Sequence, residues 1–189
     1  MRRGRGLPVA LAGGLIFWTM TSAGALEIGA IAPDFRMVSL NGRPFSMAEA
    51  LRTHSGVAVL FMSTICPYSN YYNDLYRDMA AEFGKKGVIF VGVNSGTVET
   101  VAEVKAHAQE HGHTFDILKD PDAKIADLLD AHRTPEVFLF DQTGTLRYHG
   151  RIASKLSSPD LKAAIEAMLE GKPIHPAETK AFGCAILRH

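Results

Sequence analysis

Continuous apolar runs alternate along the chain with segments in which apolar residues recur at helical spacing. The runs are rich in Val, Ile, Leu and Phe, which is typical of strands buried on both faces of a sheet. Five strands are predicted, over 57–62, 88–93, 115–118, 137–140 and 146–152. The last one alternates apolar and polar residues and follows the turn-forming sequence Asp-Gln-Thr-Gly, so it is predicted to close an antiparallel hairpin.

Helical spacing of apolar residues fills the intervals between these strands. Helices are predicted over 68–83, 98–108, 125–129 and 161–169. This alternation predicts an α/β fold with a mixed central β-sheet flanked by helices. Residues 30–45 are predicted to add a small N-terminal hairpin, and residues 172–189 show no periodicity, so we expect an irregular C-terminal tail.

Residues 1–25 have the organisation of a signal peptide. Three arginines precede an apolar run over 7–20, and residues 23–25 supply an Ala-Gly-Ala ending. The alternative is an uncleaved anchor, but the run is interrupted by Pro and Gly and falls short of the ~20 residues that a membrane span needs. We therefore predict cleavage after Ala25 and a periplasmic or secreted protein.

The composition is that of a folded globular protein, with 47% hydrophobic and 21% charged residues in a chain of 189. We expect one domain over 26–171, followed by the tail over 172–189. Lys+Arg and Asp+Glu balance at 20 each, but three of the basic residues lie in the leader, so the rest is slightly acidic. Such a chain lacks the positive charge for gripping nucleic acid or anionic lipid, and neither partner is expected once the leader is removed.

Cys66 is the strongest candidate for chemistry, because it follows a buried strand and precedes Pro67 at the predicted start of a helix. Proline suits the first helical position. A thiol at a helix N-terminus has a lowered pKa, because unpaired N–H groups favour the thiolate, and the thiolate attacks disulfides and peroxides. The alternative is a buried cysteine that packs as a small apolar residue. We predict a reactive thiol.

Four segments of the chain resemble a known protein family. Residues 63–69 resemble the active-site turn of the thioredoxin superfamily, with Ser69 where the second Cys of Cys-x-x-Cys would stand. Residues 29–35 resemble the Gly-x-x-Ala-Pro-Asp-Phe opening of the alkyl hydroperoxide reductase and thiol-specific antioxidant (AhpC/TSA) group. Residues 133–135 resemble the loop that carries the thioredoxin cis-proline, and residues 178–186 resemble the Gly-Cys-x-Ile ending of bacterial peroxiredoxin-like proteins.

This resemblance implies a thioredoxin-like three-layer fold and a redoxin-type active site around Cys66. It implies that Pro135 is cis and lies against Cys66, and that the backbone of Thr134 offers an edge to an extended peptide. Pro67, Ser69, Thr134 and Pro135 would then contact the substrate. The implied partners are a thiol or disulfide protein, or a small peroxide, together with a thiol donor.

The chain also departs from the family pattern. A serine hydroxyl at position 69 cannot resolve a mixed disulfide, so this turn alone cannot complete a dithiol cycle. Peroxiredoxins place their peroxide-attacking Cys at the position of Ser69 and a Thr at the position of Cys66. The usual peroxide site is therefore absent.

Cys184 is the second cysteine of the chain and could supply the missing thiol. The segment from Gly171 to Cys184 is long enough to reach the turn in a domain of this size. A disulfide between Cys66 and Cys184 could be a catalytic resolving step or a permanent structural bond, and the two cysteines could also remain unpaired.

Three histidines, His107, His111 and His113, form the one pattern that suggests a metal. On a helix the first two share a face and could hold an ion. No thiol or group of carboxylates accompanies them, and Gly112 is expected to end the helix. We predict a solvated helix end, no metal and no cofactor.

The sequence therefore predicts an exported thiol-based oxidoreductase or antioxidant-type protein that acts through Cys66, with Cys184 as candidate resolving thiol. The alternative is a non-enzymatic module on the same fold. In that reading the Cys66–Cys184 disulfide is structural, and the groove beside Pro135 binds a partner peptide.

Overall fold

A computed structural model describes residues 26–188, and the predicted leader lies outside this range. The strands are β1 (Arg36–Val38), β2 (Pro44–Ser46), β3 (Gly56–Phe61), β4 (Val88–Ser95), β5 (Asp116–Asp120), β6 (Arg133–Thr134), β7 (Glu136–Asp141), β8 (Leu146–Gly150) and β9 (Cys184–Ala185). The helices are α1 (Met47–Thr53), α2 (Pro67–Asn70), α3 (Asn73–Gly84), α4 (Val101–Glu110), α5 (Lys124–Leu129) and α6 (Asp160–Leu169). Within 26–188 no helix is both long and apolar enough to cross a membrane.

Strand β3 is the centre of a five-stranded sheet with the order β5-β4-β3-β7-β8. It pairs in parallel with β4 and antiparallel with β7. At the edges, β5 is parallel to β4, and β8 is antiparallel to β7. Every residue of β3 is buried, as its apolar run predicts. The predicted mixed sheet of an α/β fold is confirmed.

The core lies in two layers, one on each face of this sheet. Side chains alternate along β3, so that Ala58 and Leu60 face one layer while Val59 and Phe61 face the other. The first layer contains residues of α3, α4 and α6, and the second contains residues of α1 and α5. Helices thus cover both faces, and the carboxyl end of β3 opens at the edge of the three-layer structure.

Two small antiparallel sheets flank the main one. Strands β1 and β2 form the predicted N-terminal hairpin. Strands β6 and β9 pair with each other, which brings the end of the chain next to the segment that precedes Pro135. The tail is irregular over most of its length, but its buried Ile174 and Ile186 fasten it to the domain.

The prediction of a single helix over 68–83 is wrong in one respect, because the structure divides this segment into α2 and α3. The Tyr72 N–H donates to the Ser69 carbonyl, three residues back, at 3.1 Å, and this tightens the turn between the two helices. The Tyr76 N–H then donates to the Tyr72 carbonyl at 2.9 Å and begins α3. Apolar spacing does not register the change, because it records which residues are apolar and not where the backbone turns.

Candidate active site

Cys66 lies just beyond the carboxyl end of β3 and is the N-cap of α2, with an extended backbone (φ −84°, ψ 114°). Pro67 takes the first helical position, where its missing N–H leaves no bond unmade. Ser69 is fully buried, and its hydroxyl accepts a hydrogen bond from the Ser63 N–H at 3.1 Å. The Ser69 side chain therefore holds the turn together and does not face solvent.

A buried carboxylate that the sequence analysis missed supports the loop before Cys66. Glu99, between β4 and α4, accepts a hydrogen bond from the Thr64 N–H at 2.5 Å. From the other side, the Asn70 side-chain amide donates to the Thr64 carbonyl at 2.6 Å. Thr64 is thus held at both backbone polar groups. Glu99 stands in an ordinary polar loop sequence, and no pattern distinguishes it from a solvated residue.

The Thr134–Pro135 peptide bond is cis, as predicted. The Cys66 S–H donates to the Thr134 carbonyl oxygen, with 3.0 Å between sulfur and oxygen. Pro135 lines a groove beside the cysteine together with Pro67. The structure therefore brings four of the six predicted site residues together: Cys66, Pro67, Thr134 and Pro135. The buried Ser69 holds the turn through its bond to Ser63.

The sixth predicted residue, Cys184, reaches this arrangement through the tail strand β9. The antiparallel register of β6 and β9 places Cys184 opposite Thr134. The backbone edge of Thr134, which the resemblance assigns to an extended peptide, is thus occupied by the chain's own tail. Cys66 is only 1% exposed beneath it, whereas Cys184 remains partly exposed.

Close backbone contact holds β9 in place. A β-carbon at Gly183 would overlap the Thr134 carbonyl oxygen, so only glycine allows this approach. The Arg133 guanidinium donates to the Gly183 carbonyl at 3.1 Å. Beyond the cysteine, the Ile186 N–H donates to the His132 carbonyl at 2.9 Å, and the Ile186 side chain is buried.

When Cys66 is ionised, its sulfur accepts a hydrogen bond from the Cys184 S–H. Burial raises the pKa of the Cys66 thiol, but this hydrogen bond and those from the backbone N–H groups of Ser69 and Cys184 outweigh burial and lower the pKa overall. The pKa of Cys184 is raised to about 11, first because its proton is held by Cys66 and second because of burial. Cys66 is therefore the more acidic thiol of the pair, and Cys184 keeps its proton to higher pH.

A second buried carboxylate missed by the sequence analysis organises the loop that carries the cis-proline. Glu136 follows Pro135 and accepts hydrogen bonds from the N–H groups of His132 and Arg133 at 2.7 Å and 2.9 Å. Its other oxygen is 2.7 Å from the His149 Nε2. Burial raises the pKa of Glu136, but the bond to His149 and the two backbone bonds outweigh burial, so the pKa is lowered. The carboxylate is therefore held in its charged form.

Cavities open on both sides of the cysteine pair. One is a groove of about 610 Å³ with an apolar, aromatic lining that includes Tyr68, Tyr71, Tyr72 and Phe182. The Phe182 ring of the tail packs edge-to-face on Tyr68, with 4.9 Å between centroids. The second cavity, of about 260 Å³, touches both sulfurs and lies on the side of Glu99. Either one gives a bound molecule a place next to the thiols.

The histidine pattern is not the solvated helix end that the sequence predicts. The rings of His107 and His111 are 4.4 Å apart, and His113 stacks on Phe115 at 5.1 Å. Burial, together with the neighbouring His107, lowers the pKa of His113 to about 4, so this ring is neutral at physiological pH. Among residues 26–188 no group of three or more His, Cys, Asp or Glu side chains could hold a metal ion.

Comparison with known proteins tests the predicted family. The profile of the AhpC/TSA family matches residues 28–149, which include the Cys66 turn, the cis-proline loop and the five strands of the main sheet except the last residue of β8. The chain belongs to the AhpC/TSA family. This result confirms the predicted resemblance to a redoxin of the thioredoxin superfamily. The AhpC/TSA match ends at residue 149, so Cys184 lies outside the part of the chain that matches the family.

Relatives of this AhpC/TSA protein include thiol-disulfide oxidoreductases. The thiol-disulfide oxidoreductase ResA of Geobacillus thermodenitrificans is 27% identical over 155 residues, which cover 78% of this chain and 82% of that protein. A hypothetical protein of Sinorhizobium meliloti has a similar structure, with a TM-score of 0.80, 28% identity and coverage of 88% and 97% of the two chains. A Chlorobium tepidum protein described as a thiol:disulfide interchange protein DsbE shares the fold, with a TM-score of 0.65, 24% identity and coverage of 77% and 99%.

Proposed function

We propose that this protein is an exported thiol–disulfide oxidoreductase in which Cys66 is the attacking thiolate and Cys184 the resolving thiol. The observation that carries the proposal is the pairing of β9 with β6, because it places Cys184 opposite Thr134, whose carbonyl oxygen lies 3.0 Å from the Cys66 sulfur. The likeness to ResA supports disulfides as substrates. Peroxides have less support, since Ser69 stands where peroxiredoxins carry their attacking cysteine.

In the first step, the Cys66 thiolate attacks one sulfur of a substrate disulfide. A mixed disulfide forms at Cys66, and the other substrate sulfur leaves as a thiolate that takes up a proton. In the second step, the Cys184 sulfur attacks Cys66 and releases the first substrate sulfur. The substrate is reduced to two thiols, and the enzyme is oxidised to a Cys66–Cys184 disulfide.

The hydrogen bond between Cys66 and Cys184 also favours this order of steps. The pKa of Cys184 is raised chiefly because Cys66 accepts its proton in a hydrogen bond. Once Cys66 is bound in a mixed disulfide, its negative charge is gone and this cause disappears. The pKa of Cys184 then falls toward its ordinary value, which makes Cys184 a better nucleophile after the first step than before it.

Because β9 covers Cys66, the first step requires the tail strand to move aside. Strand β9 has two residues and pairs with β6 alone among the strands within 26–188. A strand of two residues with one neighbouring strand opens at lower cost than a strand paired on both sides. When β9 leaves, the backbone of Thr134 is free to pair with an extended substrate segment, and the aromatic groove provides space for neighbouring side chains.

The proposal is tested by incubating reduced protein with one equivalent of a small-molecule disulfide or of hydrogen peroxide, followed by intact mass. We expect the disulfide to produce an intramolecular Cys66–Cys184 bond faster than peroxide does. Cys184→Ser must stop at a mixed disulfide on Cys66, and Cys66→Ser must lose turnover entirely. Two thiols that ignore both oxidants would overturn the proposal.

The second candidate, a non-enzymatic binding module, is favoured by the aromatic groove of about 610 Å³ beside Pro135. In that case a peptide binds with equal affinity to wild type and to a Cys66→Ser, Cys184→Ser double variant. The disulfide of such a module would also resist reduction by glutathione. Fast reduction separates the enzyme from the module.

Export is the remaining part of the proposal and rests on the leader over 1–25. The mature protein is expected to begin at Leu26, since cleavage after Ala25 follows the Ala-x-Ala pattern. Intact mass of the protein recovered from a periplasmic extract measures this directly. A mass that corresponds to the full chain of 189 residues would contradict cleavage.

A further inference from the structure

The two sulfurs differ in their access from outside. Cys66 is 1% exposed, because β9 lies over it, whereas Cys184 is partly exposed on a strand whose outer edge has no partner strand within 26–188. In the Cys66–Cys184 disulfide of the proposed function, on which this inference rests, the sulfur that meets an incoming molecule is therefore Cys184.

Apolar side chains with high exposure surround this sulfur. We name six of them the apolar collar, and each is between 48% and 66% exposed: Ile65, Tyr68, Tyr71, Val98, Phe182 and Leu187. They line the two cavities that flank the cysteines. Exposed apolar side chains gathered at one place mark a surface that another protein covers. A small hydrophilic thiol such as glutathione would leave most of the collar uncovered.

The surroundings of the pair also favour one direction of bond cleavage. If a thiolate attacks Cys184, Cys66 leaves as a thiolate and is received by the N–H groups of Ser69 and Cys184. If the incoming thiolate attacked Cys66 instead, Cys184 would have to leave as the thiolate, and a thiolate at Cys184 is less stabilised than one at Cys66. A disulfide breaks faster when the leaving sulfur is the better stabilised thiolate.

We propose that Cys184 is the sulfur through which a dithiol protein, docked on the apolar collar, reduces the oxidised enzyme. The partner's thiolate forms a bond to Cys184, the Cys184–Cys66 bond breaks, and the electron pair leaves on Cys66. The partner's second thiol then attacks its own first sulfur and frees Cys184, which takes up a proton. The partner ends as a disulfide and the enzyme as a dithiol.

Peptide mapping identifies the sulfur that is attacked. The oxidised full-length mature protein is first shown by intact mass to be lighter by two hydrogen atoms. It then receives glutathione in the presence of a fast alkylating reagent, which captures the cysteine that is released. Trypsin separates the two sites, because Cys66 lies in peptide 53–77 and Cys184 in peptide 181–188.

Glutathione on 181–188 with the alkyl group on 53–77, in at least about tenfold excess, is the expected result. The reverse distribution, or an equal one, overturns the inference and leaves the proposed function intact. If the oxidised protein is not lighter by two hydrogen atoms, no disulfide has formed, and the proposed function fails together with the inference.

The docking surface is tested with a reduced thioredoxin as the dithiol probe. Leu187→Ser removes an exposed collar residue and is expected to slow reduction by thioredoxin about fivefold while reduction by glutathione stays unchanged. Val38→Ser is the matched control, because Val38 is 63% exposed on β1 and lies outside the collar. Equal rates of reduction by thioredoxin for both variants would overturn docking on the collar.

Discussion

Gly183 is the position where the smallest substitution should have the largest effect on the reactivity of Cys66. A β-carbon at residue 183 would overlap the carbonyl oxygen of Thr134 and would lie 3.0 Å from the Cδ of Pro135. Both groups belong to a backbone segment that Glu136 holds through two N–H groups, so they have little room to shift. In Gly183→Ala the strain is relieved when β9 moves away.

The magnitude follows from the cost of inserting an atom into a packed contact, which is ~1–3 kcal/mol. If β9 opens to relieve all of this strain, the open population rises by a factor of ~5 to ~150, because 1.4 kcal/mol corresponds to a factor of ten. Cys66 is alkylated only from the open state, so its alkylation rate should rise by the same factor. The same strain lowers the stability of the closed protein against unfolding, so the melting temperature should also fall, by ~2–4 °C per kcal/mol in a domain of this size.

The assay is the rate of iodoacetamide modification of reduced protein, resolved by mass mapping of the two cysteine peptides. Gly84→Ala is the matched control, since a β-carbon at the end of α3 meets no atom within 4 Å. It should leave the rate at Cys66 unchanged. If Gly183→Ala reacts at Cys66 no faster than this control, then β9 does not protect the thiol, and the reasoning about the covered site is refuted.

Three further predictions concern the groups around the thiols. Cys184→Ala removes the S–H donor and should raise the pKa of Cys66, whereas Cys184→Ser keeps a hydroxyl donor and should raise this pKa less. The pKa of Cys66 in each variant is measured from thiolate absorbance against pH. Identical titration curves for the two variants would disprove the hydrogen bond. Glu136→Gln weakens the bonds to two backbone N–H groups and to His149 and should reduce the free energy of unfolding in urea by ~1–3 kcal/mol at neutral pH. Folding lowers the pKa of Glu136, so the stabilisation by its carboxylate is complete above the ordinary pKa of 4.5 and is lost as the pH falls through the folded-state pKa. If Glu136→Gln remains equally less stable than wild type in acid, this role is contradicted. Phe182→Ala removes the edge-to-face contact of the tail, worth ~0.5–1.5 kcal/mol, and should speed alkylation of Cys66 up to about tenfold; an unchanged rate would show that this contact does not hold β9.

The sequence was sufficient to predict the central sheet and the position of Cys66. Buried strands such as β3 and β7 carry a local signal, because a strand covered on both faces must be apolar throughout. The Cys-Pro pair at the start of α2 is also a local signal, since proline fixes the first helical residue. The cis bond before Pro135 came from the family resemblance and not from the composition of the loop.

The rest of the site depends on contacts between distant segments, which periodicity does not record. Strand β9 has only two residues, too few to show alternation, and it forms because its register with β6 fits a glycine next to Thr134. Glu99 and Glu136 are charged residues in unremarkable positions of the sequence. Their burial is possible only because N–H groups meet their oxygens, from a distant segment for Glu99 and from the loop just before it for Glu136.

Cys66 lies next to the central strand β3, whereas Cys184 lies on the peripheral strand β9, so the two sulfurs belong to parts of the protein with opposite local stability. Amide hydrogens of β3, paired on both sides, should exchange with solvent only when the whole domain unfolds. Those of β9, held by one short neighbour, should exchange through brief local openings. A bond between the sulfurs would therefore suppress the local openings of the tail, a route of exchange that β3 does not have. Hydrogen exchange of residues 183–186 thus becomes a direct record of the redox state.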